Sequence, residues 1–275
     1  MLMMNSNFLV SCEWLKDNLY NENICILDAS FFLKNDKRDG FFEWNSKRIP
    51  TSLYFDFNKK IKEHNSLLPN MLPSPEYFSE QVGLMGISNN THIIIYDNCD
   101  FFSAPRVWWM FKIMGHQKIS ILDEGLKGWI ELGYPIEESP PHLNIVPAQY
   151  NASFQSNLLA NYDDVMSASM NKDLIIDARS PDRFNAQSNN NRVDHIPHSK
   201  NLYYRNLVKS NEFPSHKNIY KNFMNVITPE QLNEHIIYTC GSGVTACILA
   251  FCGYCIGAEN FSIYDGSWSE WSQIN

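Results

Sequence analysis

The chain has no excess of positive charge. Its 22 lysines and arginines face 30 aspartates and glutamates, a net charge of −8, which argues against a nucleic-acid or polyanion partner. A local basic pocket can still take a small anion. There is no long apolar run either. The longest, Ala246 to Ala258, falls short of the roughly 20 residues that span a bilayer, so no membrane partner is expected. The start, Met1-Leu2-Met3-Met4-Asn5-Ser6-Asn7-Phe8-Leu9-Val10, lacks a basic leader and an Arg-rich amphipathic character, so no targeting peptide is expected. An even cysteine framework is also missing. Seven cysteines in a chain of 275 residues read as free thiols in a reducing compartment, and a cytoplasmic location is expected. What the chain does have is 44% apolar and 13% aromatic residues, enough for proper cores, and a length that suits two domains.

The same phrases occur twice along it. Ile24-Cys25-Ile26-Leu27-Asp28-Ala29 is echoed by Leu174-Ile175-Ile176-Asp177-Ala178-Arg179, and Arg48-Ile49-Pro50 by His195-Ile196-Pro197. His92-Ile93-Ile94-Ile95-Tyr96-Asp97 is echoed by His235-Ile236-Ile237-Tyr238-Thr239-Cys240, and Ile121-Leu122-Asp123-Glu124-Gly125 by Ile263-Tyr264-Asp265-Gly266. A nearly constant offset between partners indicates duplication of a whole domain. The short β-branched runs at 24–27, 93–96, 119–122, 174–176 and 236–238 lack two-residue alternation, which suits strands buried on both faces of a parallel sheet. Helices are expected at 75–82, 105–114, 126–132, 229–234 and 245–254. Strands alternating with helices give an α/β fold, two tandem domains each with a parallel sheet flanked by helices. Pro135, Pro140, Pro141 and Pro147 mark a stretch of little periodicity. The expected division is 5–138, a linker at 139–157, and 158–275.

Cys240 stands where an apolar strand ends and a helix begins. Gly241 and Gly243 let the chain curl so that successive backbone N–H groups face one point. The helix starting near Thr245 adds its partial positive charge. Such a cradle, Gly241-Ser242-Gly243-Val244-Thr245, favours a thiolate, and would equally favour a persulfide anion on Cys240. A cysteine phosphatase would need an arginine closing this loop after five intervening residues. That place holds Ala246. Cys252-Gly253-Tyr254-Cys255 has Cys-x-x-Cys spacing, but no second pair completes a zinc site, and the pair sits at the far end of a helix rather than opening one. It reads as core packing, with a regulatory disulfide as the other possibility.

The Cys240-Gly241-Ser242-Gly243-Val244-Thr245 segment resembles the active loop of 3-mercaptopyruvate sulfurtransferases in the rhodanese superfamily. Tyr264-Asp265-Gly266-Ser267-Trp268-Ser269-Glu270-Trp271 is similar to that two-domain family's C-terminal signature. Ser103-Ala104-Pro105-Arg106-Val107-Trp108-Trp109 is similar to its N-domain helix. The resemblance covers nearly the whole chain. It implies a catalytic second domain and a first domain without its cysteine, which agrees with Asp97 standing opposite Cys240 in the repeat. It implies two substrate-binding arginines, Arg183 and Arg192, with Arg179 structural, and a catalytic role for Ser242 in proton handling. Some relatives connect this serine to a histidine and an aspartate of the first domain. The matching positions here are Asn70 and Asn58, which cannot act as general acid or base, so that triad is not carried over, and nothing in the sequence brings His64 in as a replacement.

The implied activity is transfer of sulfane sulfur from 3-mercaptopyruvate, through a Cys240 persulfide, to a thiol or cyanide. The expected partners are a small sulfur donor and a thiol acceptor such as thioredoxin or a small thiol. No metal or organic cofactor is implied. Thiosulfate-specific relatives carry cations just after the cysteine; here Gly241 and Ser242 make the loop neutral, which favours the keto thiol. Thiosulfate sulfurtransferase activity and a weakly active sulfur-carrier module stand as alternatives.

Overall fold

A computed structural model describes residues 8–138, 144–186, 194–209 and 213–274. The first half holds β1 (Leu9–Val10), α1 (Cys12–Asp17), β2 (Ile24–Asp28), α2 (Gly40–Ser46), β3 (Leu53–Tyr54), α3 (Pro75–Leu84), β4 (His92–Tyr96), α4 (Ala104–Ile113), β5 (Ile119–Leu122) and α5 (Gly125–Glu131). The second holds β6 (Leu159–Ala160), α6 (Tyr162–Asn171), β7 (Leu174–Asp177), α7 (Pro181–Phe184), β8 (Lys200–Asn201), α8 (His216–Phe223), β9 (Ile236–Thr239), α9 (Ala246–Cys255), β10 (Phe261–Tyr264) and α10 (Ser267–Ile274). Each half builds one five-stranded sheet with parallel pairings. The orders are β1-β5-β4-β2-β3 and β6-β10-β9-β7-β8, the same path walked twice. The duplication read from the sequence is therefore a duplication of topology.

The central strands are the β-branched runs, buried on both faces. The two-residue edge strands carry too little pattern to be seen in the sequence. The helical stretch expected at 229–234 takes the form of a short 3₁₀ turn, Glu230–Asn233. Residues 144–157 are laid along the first half rather than spanning free space. Tyr150 is buried, and Ala148, Ser153 and Gln155 donate backbone hydrogen bonds to Gly83, Met114 and Ile113.

The two halves meet along α4 and α9. Helix α9 is apolar on every side, and its residues from Ala246 to Gly253 are all buried, as expected for a helix sandwiched between layers. Trp108 of α4 packs edge-on against Phe251 of α9 at 4.9 Å between ring centroids. One apolar cluster runs through both halves, so the two sheets are held as a unit and can share a site.

The repeat also differs where it matters energetically. Asp177 at the end of β7 is paired with Arg179, with Nη2 2.7 Å from Oδ2. The equivalent Asp28 at the end of β2 has Ser30 in the arginine's place. Burial without a cation pushes the Asp28 carboxyl up to about 7, despite a hydrogen bond from the Ser30 N–H. In the unfolded chain it titrates at about 4. Between those values the folded state binds the extra proton, so stability falls as pH rises from about 4 to about 7. Asp28→Asn is expected to remove that decline and to raise unfolding free energy at pH 8 by roughly 1–4 kcal/mol. Urea melts at pH 5 and pH 8 check this; an equal effect at both values contradicts it.

Candidate active site

Cys240 follows β9 directly and is 2% exposed. Its loop is shaped from outside. The N–H of Trp268 donates to the Cys240 carbonyl, the N–H and hydroxyl of Ser269 donate to the Gly241 carbonyl, and Arg106 donates to the Gly243 carbonyl at 3.1 Å. With its carbonyls drawn outward, the loop turns N–H groups inward. Those of Gly241, Ser242, Val244 and Thr245 have no acceptor among the described residues. Helix α9 begins at Ala246, so its N-terminus completes the cradle.

One expected member is not part of that cradle. The Gly243 N–H donates to Ser267 Oγ at 3.2 Å, as does the Cys240 N–H. Gly243 lies at φ +76°, and a Cβ there would come within 2.7 Å of Asp265 Oδ1. Its glycine is needed for the turn and for close approach, not for donation to sulfur. Ser267 has the same φ sign, is fully buried, and donates to the Tyr264 carbonyl at 2.7 Å while its oxygen stands 3.9 Å from Cys240 Sγ. Ser267 stands inside the C-terminal signature segment, where the sequence alone assigns it no task. The matching place in the first half holds Gly125, also at positive φ, because Leu126 and Trp268 donate their N–H groups to the Asp97 and Cys240 carbonyls in turn.

Arg183 arrives from α7, whose first turn is capped by Ser180. Its guanidinium packs on the Cα of Gly241; a Cβ there would lie 3.0 Å from Nη2. That contact gives Gly241 its reason, and sets the arginine's fork beside Cys240. Arg179 is instead buried in its pair with Asp177 and stacked 4.6 Å over Trp268, a structural cation as expected. Arg192 lies outside the described residues.

The first half reaches into this site through Asn70, which is buried with φ +59°. Asn58 Nδ2 donates to Asn70 Oδ1 at 2.6 Å, and Asn70 Nδ2 reaches Ser242 Oγ at 3.3 Å. The two asparagines picked out in the sequence are thus connected to Ser242. His64 is not; it is exposed and bonded to the Lys60 carbonyl. Behind the loop, Arg106 of α4 is fully buried and pairs with Asp265 at 2.5 Å while donating to the Asn70 carbonyl. Asp265 in turn accepts the Leu72 N–H at 2.7 Å. Arg106 Nε is buried without a hydrogen-bond partner among the described residues, and a buried ion pair of this kind fixes geometry more than it adds stability. Here it fixes both loops that carry the site.

These groups line a cleft of about 690 Å³ between the two halves, with Cys240, Ser242, Thr245, Arg183 and Asn70 on its wall. Phe102 and Tyr204 face each other across it at 5.8 Å. In the first half, the position matching Cys240 is filled differently. The Asp97 carboxylate accepts the N–H groups of Cys99, Phe101, Ser103 and Ala104 at 2.8–3.2 Å. That anion cradle is occupied by its own side chain, and it offers no nucleophile.

The other thiols are disfavoured as nucleophiles. Burial pushes Cys12, Cys25, Cys247 and Cys255 up to about 12, and Cys99 and Cys252 well above their ordinary value. Cys252 and Cys255 end α9 as free thiols, Cys252 fully buried, which fits the packing role. Among the described residues no cluster of three or more histidine, cysteine or carboxylate side chains could hold a metal, and no helix is long and apolar enough to cross a membrane.

Comparison with known proteins gives one consistent result. The family description "Rhodanese-like domain" matches the chain twice, at residues 11–132 and 161–274. The 3-mercaptopyruvate sulfurtransferase of Escherichia coli K12 is 33% identical over 274 residues, covering 98% of this chain and 96% of that protein. The thiosulfate sulfurtransferase of Rattus norvegicus is 33% identical over 276 residues, covering 96% and 91%. The crystal structure of SseA from Escherichia coli superposes with a TM-score of 0.86 at 33% identity, covering 95% of this chain and 99% of that one.

Proposed function

The chain belongs to the rhodanese family, and from that premise we propose that it is a sulfurtransferase carrying sulfur on Cys240, with 3-mercaptopyruvate as its donor. The observation that carries this reading is the Cys240 thiol on the cleft wall, in a loop whose Cys240, Gly241 and Gly243 carbonyls are held from outside, with an arginine fork against Gly241. In the first half-reaction the Cys240 thiolate attacks the donor's sulfur. The carbon–sulfur bond breaks with its electron pair left on carbon, as the enolate of pyruvate. That carbon takes one proton, matching the one the donor thiol brings, and pyruvate leaves. The persulfide anion rests in the N–H cradle. In the second, an acceptor thiolate attacks the outer sulfur, the sulfur–sulfur bond to Cys240 breaks, and the thiolate is regenerated.

Arg183 pairs with the donor's carboxylate and ketone oxygens, for which its planar fork is suited; Arg192 is proposed as its companion. Residues 5–138 form a non-catalytic domain and 139–157 the connection to the catalytic domain, 158–275. Support comes from the Asp97 carboxylate occupying the first domain's cradle. The cleft has room for a thiol acceptor, such as a small thiol or the exposed cysteine of thioredoxin. Seven unpaired cysteines suit the cytoplasm.

Thiosulfate is the rival donor, since relatives named for it align equally well. The neutral Gly241-Ser242 pair after the cysteine favours the monoanionic keto thiol over a dianion. With cyanide as common acceptor, kcat/KM is expected to be at least several-fold higher for 3-mercaptopyruvate. A higher value for thiosulfate overturns the donor assignment and leaves the persulfide in place.

A further inference from the structure

We propose that Asn58 and Asn70 are positioning residues that fix Ser242 as a non-titrating hydrogen-bond donor to the departing group. The inference rests on the sulfurtransferase reading and adds the source of polarity at its site. Asn70 Nδ2 faces two oxygens of Ser242, the hydroxyl at 3.3 Å and the main-chain carbonyl at 3.5 Å. A carbonyl can only accept. It therefore holds the amide nitrogen of Asn70 on that side and the amide oxygen on the other. The oxygen then requires a donor, which Asn58 Nδ2 supplies at 2.6 Å. The direction of the whole chain is set by one backbone carbonyl.

The consequence falls on Ser242. Its oxygen already accepts from Asn70, so its one proton is left for an acceptor in the cleft that Ser242 lines. Neither amide can remove that proton near neutrality. Ser242 is thereby kept as a neutral donor, suited to the enolate oxygen that develops as the carbon–sulfur bond breaks. Asn70 cannot drift from this task. Its backbone carbonyl is held by the buried Arg106, and asparagine tolerates the left-handed conformation it adopts.

Reversing the polarity tests the idea. In Asn70→Asp an ionised carboxylate only accepts, so it draws the Ser242 proton toward itself and away from the cleft. Protonating that carboxyl restores a donor. The first half-reaction is to be followed by pyruvate release in the full-length enzyme with 3-mercaptopyruvate, from pH 4.5 to 8.5. The variant is expected to be about tenfold slower than wild type at pH 8, through kcat rather than KM. The variant-to-wild-type ratio should climb as pH falls through the carboxyl's titration. The charged and titratable groups around the cleft, Arg38, Asp39, Tyr54, Asp56, Lys59, Arg179, Arg183, Tyr203, Tyr204 and Cys240, and Arg106 with Asp265 behind it, are the same in both proteins, so the ratio isolates residue 70.

Ser242→Ala should show the same loss at pH 8, and the double variant no further loss, because both changes remove one interaction. Asn58→Asp, which leaves the Arg106 contact untouched, should reproduce the pH-dependent ratio if Asn70→Asp proves unstable. A pH-independent ratio, or additive losses in the double variant, overturns the proposal. Mass spectrometry of the same samples separates the two readings. Wild type that gains sulfur on Cys240 while all variants keep wild-type rates refutes the relay alone. Wild type that gains none refutes the sulfurtransferase reading, and the relay with it.

Discussion

Cys240→Ser is expected to lower sulfur transfer from 3-mercaptopyruvate by at least about 10⁴-fold while leaving the thermal midpoint within a few degrees of wild type. The size follows from chemistry. The step needs a nucleophile that forms a bond to sulfur, holds a sulfur atom through release of the first product, and then leaves. A serine hydroxyl is un-ionised at neutral pH and makes no comparably stable adduct. No other thiol can substitute. Cys247, one turn away in α9, is fully buried and pushed up to about 12, and its sulfur is 3.2 Å from the Gly243 carbonyl. Cys99 lies at the first domain's loop, beside a cradle already filled by Asp97. The fold should be indifferent, because oxygen replaces sulfur in a loop held by backbone contacts that serine keeps. Residual transfer within tenfold of wild type would mean that the nucleophile lies elsewhere.

The second large effect is at Arg183. Arg183→Leu is expected to reduce kcat/KM for 3-mercaptopyruvate by about 10²-fold, and Arg183→Lys by distinctly less. A charge-assisted fork on a carboxylate contributes roughly 1.5–3 kcal/mol, and lysine supplies the charge without the planar geometry. Arg183 is exposed at the cleft and its guanidinium lies against Gly241, so it has no core to disturb. Stability should not change, and cyanide attack on a preformed persulfide should be nearly unaffected. Steady-state kinetics, with the second half-reaction measured separately, check both parts. Equal losses in the two halves would make Arg183 a support of the loop rather than a holder of the donor.

Much of this was legible because the chain repeats itself. Matching Ile93–Tyr96 to Ile236–Thr239 puts Asp97 against Cys240, and the structure gives that pairing a physical meaning: one loop holds its own carboxylate, the other offers a thiol. Strand–Cys–Gly-x-Gly–helix was equally readable, because glycines and a helix start are local features. What the sequence does not disclose is long-range. Arg106 stands 159 positions from Asp265 and 36 from Asn70, yet it bonds to both. Nothing in a helix of tryptophans and valine marks it as the clamp on a loop of the other domain. The gift of the Gly243 N–H to Ser267, and the use of Gly241 as a seat for Arg183, likewise depend on packing between elements far apart in the chain. Asn58 and Asn70 were visible as departures from a pattern; their direction of donation needed the Ser242 carbonyl in place.

The most direct test of the central claim is the mass of the intact protein after brief treatment with 3-mercaptopyruvate and removal of excess donor. One added sulfur atom is expected, carried on the peptide containing Cys240, lost on reduction and absent from Cys240→Ser. An unchanged mass, or sulfur carried on Cys99 or Cys255, would contradict it.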